Sequence, residues 1–574
     1  MLGVSISRVS KGRDRVESLI VGKDKKHVRS LHKPSVGNRR RGGILAIIRK
    51  TAHYRAHMDH IKIPPNITPL PYEKRRGRVP RRGYASIRPA ARWQDALIGG
   101  NGTIETKTFG MPRDEIVLFR HEGMLEADLP SGFRHPPEPP RIAHALDRVR
   151  KLLLQGDYKG ANDYAFDAIR KAGYPDRISN NYRHEGFVLH VGFDGESAIE
   201  DYLRTVDFSS GEAVISWTDK YGAWERRSFV SRPAQISVIK FTVPESFPGP
   251  IRINVSPTLE AGFDGTDDYA PRRSLRMPAV DFTTSMSDNS IEVCAPYTIA
   301  SMDGAGYFAS IRIQSDGNAA EAKGQCIEMT DCQEIIIATS LGWRENMTGS
   351  GQEEIRRRND GMSLDYHRLL AEHTSWQSAL MERTTVELGS DDDHLLTTEE
   401  MLVQEHLDEG FFPALVEKIF DMGRYFLLYS HGKVPYVWGH VNVNVNLQVA
   451  SGVQTALPEM METYFSWIES LHDNWRKNAR DIFGFRGFLS SVHPDGLNGV
   501  LFHMTPSSPH HYWIAGAGWC YQPFWEYYQT TGDSDFAENR LLPALREIAR
   551  FFDDYLSLRD EKGRYIGCSL MPLL

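Results

Sequence analysis

The chain is 574 residues long, 41% hydrophobic and 25% charged, an ordinary globular composition that is too long for one compact core, so about two to four domains are expected. No run of eighteen apolar residues occurs, which excludes a membrane-spanning helix. The net charge of −6 hides an asymmetry: residues 1–90 hold 23 of the 68 Lys and Arg but 5 of the 74 Asp and Glu, a basic segment of +18 ahead of an acidic body of −24.

In chain order, residues 1–84 form a basic tail. Clustered Arg and Lys are the footprint of phosphate contacts. Here, however, KDKK, RRR and KRRGR alternate with Pro and Gly, and no helix-turn-helix, finger or stacking-aromatic pattern accompanies them. The tail is therefore expected to be disordered or absent from the mature protein, with Met58 as an alternative start, and no nucleic-acid partner is expected. The apolar run GILAII at 43–48 is too short and too far in for a secretory signal. Cys294, Cys326, Cys332, Cys520 and Cys568 are odd in number and fit no zinc spacing, so free and mostly buried thiols are expected, with a cytoplasmic location favoured.

Residues 85–350 read as a β-domain. Segments such as AVISWTD, WERRSFVS, QISVIKFTV and EIIIATSLGW are short, rich in β-branched and aromatic residues, and punctuated by turn residues. DKYG between Trp217 and Trp224 predicts a hairpin turn. One helical insertion at 145–173 interrupts the strands, and GGNG at 99–102 lacks the context of a phosphate loop and reads as a tight turn. Residues 351–395, containing SLDYHRLLAEHTSWQSALMER, are predicted as a helical linker. From 396 to 574 amphipathic helices follow, one of them beginning near Ser534, separated by loops carrying Gly, Pro and His. The fold class is multidomain β + α: an N-terminal antiparallel β-sandwich followed by stacked helical hairpins.

Two stretches carry chemistry. In YVWGHVNVNVNLQVA, Asn442, Asn444 and Asn446 occupy alternate positions among valines. A helix would put Asn442 and Asn446 on one face; an extended chain would put all three there, and the valine alternation favours extension. Amides can hold a sugar hydroxyl or orient a water, but a carboxylate must then take the proton. Trp438 in the same stretch is a further candidate for substrate contact. The second stretch, TPSSPHHYWIAGAGWCYQPFWEYYQTTGD, concentrates His510, Trp513, Trp519 and Glu526, preceded by His493 and Asp495 in SSVHPDG. Aromatic faces beside a carboxylate suit a carbohydrate site, whereas a core role for the rings and a solvated Glu526 is the plainer alternative. The adjacent histidines do not share a face and no HExxH occurs, so neither metal nor cofactor is expected.

Several of these stretches together resemble glycoside hydrolase family 95, the inverting α-L-fucosidases and related L-galactosidases, over residues 85–574. RWQDALIGGNGTI is similar to the family's W-x-x-A-L-x-x-G-N-G, and VRKLLLQGDYKGAND to its inserted helix. FDMGRYFLLYS followed by NVNLQ, and AGAGWCYQPFWEYYQTTGD, resemble its helical motifs. The resemblance implies that residues 396–574 are the first part of an (α/α)6 barrel, so that this half is an incomplete (α/α)6 barrel. It also implies an oligosaccharide or glycoconjugate substrate bearing terminal L-fucose or a close L-sugar. Asn444 and Asn446 match a pair that positions the attacking water between a base Asp and an acid Glu. As the motifs match, those two carboxylates are expected beyond Leu574, and Glu526 is the fallback for the acid or a substrate contact. The chain departs from the family in a shortened KVPYVWGHV, in NLQVASG, and in Glu105 at a position where glycine is common. An (α/α)6 phosphorylase and a non-catalytic sugar-binding protein are the competing readings.

Overall fold

A computed structural model describes residues 63–127, 138–174, 181–195, 197–259, 279–318, 320–347, 349–407, 411–430, 432, 444–490, 499–500 and 513–567. The basic segment up to residue 62, and Cys568, lie outside the described residues. Two sheets face each other. The ten-stranded one comprises β1 (Ile67–Pro69), β2 (Gly83–Ser86), β9 (Ile199–Asp207), β10 (Ala213–Asp219), β11 (Gly222–Ser231), β12 (Ile236–Thr242), β14 (Thr283–Ser287), β15 (Ser290–Pro296), β16 (Gly306–Ser315) and β19 (Glu334–Arg344). The seven-stranded one comprises β3 (Leu97–Gly100), β4 (Ile104–Thr108), β5 (Asp114–His121), β8 (Phe187–Gly192), β13 (Ile251–Ser256), β17 (Glu321–Lys323) and β18 (Cys326–Met329). β6 (Leu125–Ala127) and β7 (Asn181–Arg183) form a separate pair.

Period-two burial drives this layering. Ile104, Val117, Phe119, Leu189 and Val191 of one sheet meet Ile215, Ile239, Tyr307 and Ile337 of the other in one core. The sandwich expected from the strand pattern is therefore present. Its hairpin at DKYG is as predicted: Trp217 pairs with Trp224 across β10 and β11, and the rings stack with centroids 5.6 Å apart. One expectation needs correction. The folded part starts well before residue 85, because β1 pairs in parallel and β2 antiparallel with β9, one after the other along the edge that β10 leaves free. Such short strands, borrowed by a distant edge, leave almost no local pattern.

The insertion is two helices, α1 (Leu146–Leu154) and α2 (Tyr158–Lys171). Its apolar faces do not return to the sheets. Val149, Leu152, Leu153 and Phe166 pack instead with Ile482, Phe483, Phe551 and Tyr555 of the helical half. The linker consists of α3 (Gly349–Asp360) and α4 (Tyr366–Met381). Both lie on the outer face of the larger sheet: Asn359 donates to the carbonyls of Ser310 and Ala338, while Tyr366 and Leu369 pack on Phe229 and Val238.

The helical half begins with α5 (Thr398–Leu407) and α6 (Pro413–Tyr429), the latter opened by proline at its first turn. It continues through α7 (Val445–Val449), α8 (Glu462–Ser470), α9 (His472–Asn478) and α10 (Gly516–Thr531) to α11 (Ser534–Phe536) and α12 (Leu542–Tyr555). Asp533 caps the last run by accepting from the Phe536 amide at 2.9 Å. Asp533→Ala should lower the unfolding free energy by about 1 kcal/mol, read by urea denaturation; an unchanged midpoint would deny the cap a role. Of the four described cysteines, all are free thiols, and Cys332 and Cys520 are buried. No helix among the described residues is long and apolar enough to cross a membrane.

Candidate functional site

The approach to the asparagine segment is set by α6. Arg424, fully buried, donates to Leu380, Met381 and Thr384 carbonyls at the end of α4 and to the Thr455 carbonyl beyond α7. A cation at a helix C-terminus is favourably placed, and this one ties linker and helical half together. The last turns of α6 also hold the β-domain. The Tyr425 hydroxyl donates to Ile98 O at 3.0 Å, and the Gly102 amide donates to Tyr429 O at 3.0 Å. Gly102 belongs to the GGNG turn, closed as expected by Asn101, whose side chain accepts from the Thr103 and Ile104 amides. The Tyr429 hydroxyl donates to Glu105 at 2.5 Å, and Glu105 is also paired with Arg120 and Arg183, beside Lys107 and Glu185.

The helical start at α7 corrects the extended reading of the asparagine row. Asn444 has φ −75° and ψ −1°, and Val445–Val449 is helical. Side chains at 444 and 446 therefore point about 160° apart rather than side by side. The reason lies in Val445 and Val449: both are buried against Tyr464, Phe465 and Tyr521, so the burial period here is four, not two. Asn442 lies outside the described residues.

Asn446 is 2% exposed and its Nδ2 donates to the Trp519 carbonyl in α10 at 3.0 Å. Its Oδ1 is buried without a hydrogen-bond partner among the described residues, as are Gln448 Oε1 and Trp519 Nε1. Trp519, Gln522 and Glu526 lie on one stripe of α10, with Glu526 two turns or about 10 Å along the axis from Trp519. Glu526 is partly exposed and accepts from Gln522 Nε2 at 2.9 Å. Trp513 and Trp519 are half-buried and pack on the aromatic core of α8 to α10, so one side of each ring is committed to the protein. The fold thus sets Asn446 against the Trp519 carbonyl of α10, with Glu526 two turns further along that helix, and turns Asn444 aside. Trp438, His493, Asp495 and His510 lie outside the described residues.

Sequence reasoning passed over two supports. Asn478, wholly buried, donates to Leu489 O at 3.0 Å and Gly499 O at 2.7 Å, so one amide holds both flanks of residues 491–498, the stretch with His493 and Asp495. His472 pairs with the Tyr521 hydroxyl at 2.6 Å, and burial pushes its pKa down to about 4, leaving it neutral at pH 7. Neither carries a local motif, because the partners are distant in sequence: backbone carbonyls for Asn478 and the Tyr521 hydroxyl for His472. Among the described residues no group of three His, Cys, Asp or Glu is placed to hold a metal ion.

Comparison with known proteins bears on this arrangement. Residues 435–571 match the model of the glycosyl hydrolase family 95 catalytic domain, and residues 85–343 match the glycosyl hydrolase family 65 N-terminal domain. A curated relative, "Alpha-L-fucosidase 2" of Arabidopsis thaliana, is 24% identical over 514 residues, covering 82% of this chain and 58% of its own length. The chain thus spans somewhat over half of that relative. A solved structure, "Putative kojibiose phosphorylase from human microbiome", superposes with a TM-score of 0.51 at 11% identity over 84% of this chain and 60% of the other, a likeness of fold.

Proposed function

We propose that this chain, glycosidase-like through its family 95 catalytic-domain segment, is an inverting exo-glycosidase that removes a terminal α-L-fucose or closely related L-sugar. In this reading the helical half belongs to an (α/α)6 barrel, and Asn446 holds the attacking water, Asn444 being turned to another face. The observation that carries it is Asn446 Oδ1, an acceptor buried without a partner among the described residues and inside the matched catalytic segment. A buried, unpaired acceptor costs free energy unless a ligand or water meets it. An amide oxygen accepting from water leaves the water's lone pair free to attack, while an amide cannot itself remove the proton. Inversion therefore requires two carboxyl groups about 6.5–9.5 Å apart, one taking the proton from water and the other giving one to the leaving oxygen. Glu526, along the same helix as Trp519, is assigned to the acid role or to a sugar hydroxyl. The half-buried Trp513 and Trp519 would offer ring faces to the sugar.

Hydrolysis of an aryl α-L-fucoside, with β-L-fucose as the first anomer seen by proton NMR, is the test. Asn446→Ala should lower kcat by on the order of a hundredfold with an unchanged circular dichroism spectrum. Absence of turnover on aryl L-fucosides and L-galactosides by the folded chain rejects the reading. A rate that requires inorganic phosphate assigns the chain to phosphorolysis, and calorimetric sugar binding without turnover assigns it to binding alone.

A further inference from the structure

Pro523 stands in the interior of α10, where proline is disfavoured because it withholds an N–H. The acceptor it strands is the carbonyl four residues earlier, that of Trp519. Two side chains from other helices serve this stretch: Asn446 Nδ2 donates to Trp519 O at 3.0 Å, and the Tyr464 hydroxyl donates to Cys520 O at 2.7 Å. A carbonyl only accepts, so the end of the Asn446 amide facing α10 must be its NH2, and Oδ1 is turned away.

We infer that Pro523 is a positioning residue: by keeping the Trp519 carbonyl open, it locks the Asn446 carboxamide with its oxygen presented. The consequence for the reaction rests on the proposed water-holding role, whereas the locking itself does not. The direction of the amide matters chemically. Oxygen toward a water accepts its O–H and leaves the attacking lone pair free; NH2 toward the same water would donate into that lone pair and blunt it. A residue with an N–H at 523 would close the intrahelical bond to Trp519 O and compete with the Asn446 amide for that oxygen, loosening its hold about χ2.

The test uses Pro523→Ala in the whole chain, with Pro523→Gly as a second variant that also restores the N–H. In protein labelled with 15N-asparagine, the Asn446 side-chain pair is identified by its loss in Asn446→Leu. Its hydrogen exchange should be slow in the wild type and about tenfold or more faster in both proline variants. kcat should fall by about ten- to a hundredfold with KM nearly unchanged, while the thermal midpoint of Pro523→Ala does not drop. Unchanged exchange in the two variants, or unchanged kcat alongside faster exchange, overturns the inference. If the wild type turns over no glycoside, the functional reading fails and amide exchange alone decides the locking.

Discussion

Glu105→Ala should lower the folding stability by about 3–5 kcal/mol, the range for removing one partner from a buried ion pair. Glu105 is 1% exposed, and its carboxylate is shared by Arg120, Arg183 and the Tyr429 hydroxyl. Without it, Arg120, Arg183 and Lys107 would be buried together with Glu185 as the remaining carboxylate of the cluster. Burial alone would raise the Glu105 pKa, but Arg120, Arg183 and Lys107 outweigh it and hold the carboxyl well below the usual carboxylate range. A depressed folded-state pKa gives stability that is fully present above the unfolded value of 4.5 and lost as pH falls below it. The gap between wild type and Glu105→Ala in guanidinium unfolding should therefore be widest near pH 7 and narrow below pH 4.5. A difference under about 1 kcal/mol at pH 7 would mean that the cluster repacks.

Asn446→Leu is expected to have two separable effects. The Trp519 carbonyl loses its donor, costing about 1–3 kcal/mol, and glycoside hydrolysis falls by at least about a hundredfold. In a Pro523→Ala background the helix supplies its own donor to that carbonyl. The stability cost of Asn446→Leu should then shrink to a few tenths of a kcal/mol, while the lost rate is not restored. Additive stability effects in this double-mutant cycle would show that the two residues are not coupled through Trp519.

What could be read from residue order follows the range of the interactions involved. The Trp217–Trp224 hairpin, the inserted helices and the long runs at 366–381, 413–429 and 542–555 are local: a turn or an apolar period specifies each within one window. The sandwich followed from many such strands in succession. β1 escaped notice because its pairing with β9 spans more than a hundred residues. The asparagine segment misled for a related reason. Valines at every second position suggest a strand, but Val445 and Val449 are placed by the aromatic core of α8 to α10, which local alternation does not contain. Asn446, Trp519 and Glu526 were legible as residue types suited to a sugar site. That the Asn446 amide sits on a carbonyl left open by Pro523 was not, because the donor and the helix it serves are 73 positions apart. Arg424 and Asn478 were hidden in the same way, since both donate to backbone carbonyls of other segments.

The helical insertion has a consequence for how the chain can be divided. α1 and α2 leave the β-domain, pack on Phe483, Phe551 and Tyr555, and Arg150 donates to the Tyr555 carbonyl at 2.8 Å before the chain returns to its strands. The two halves are thus buttoned through one another, and a gene cut at the linker near residue 350 would separate no natural seam. The front half would carry a greasy pair of helices with nothing to cover them, and the back half would lose the cladding over its last long helix. Loss of either half should destabilise the other.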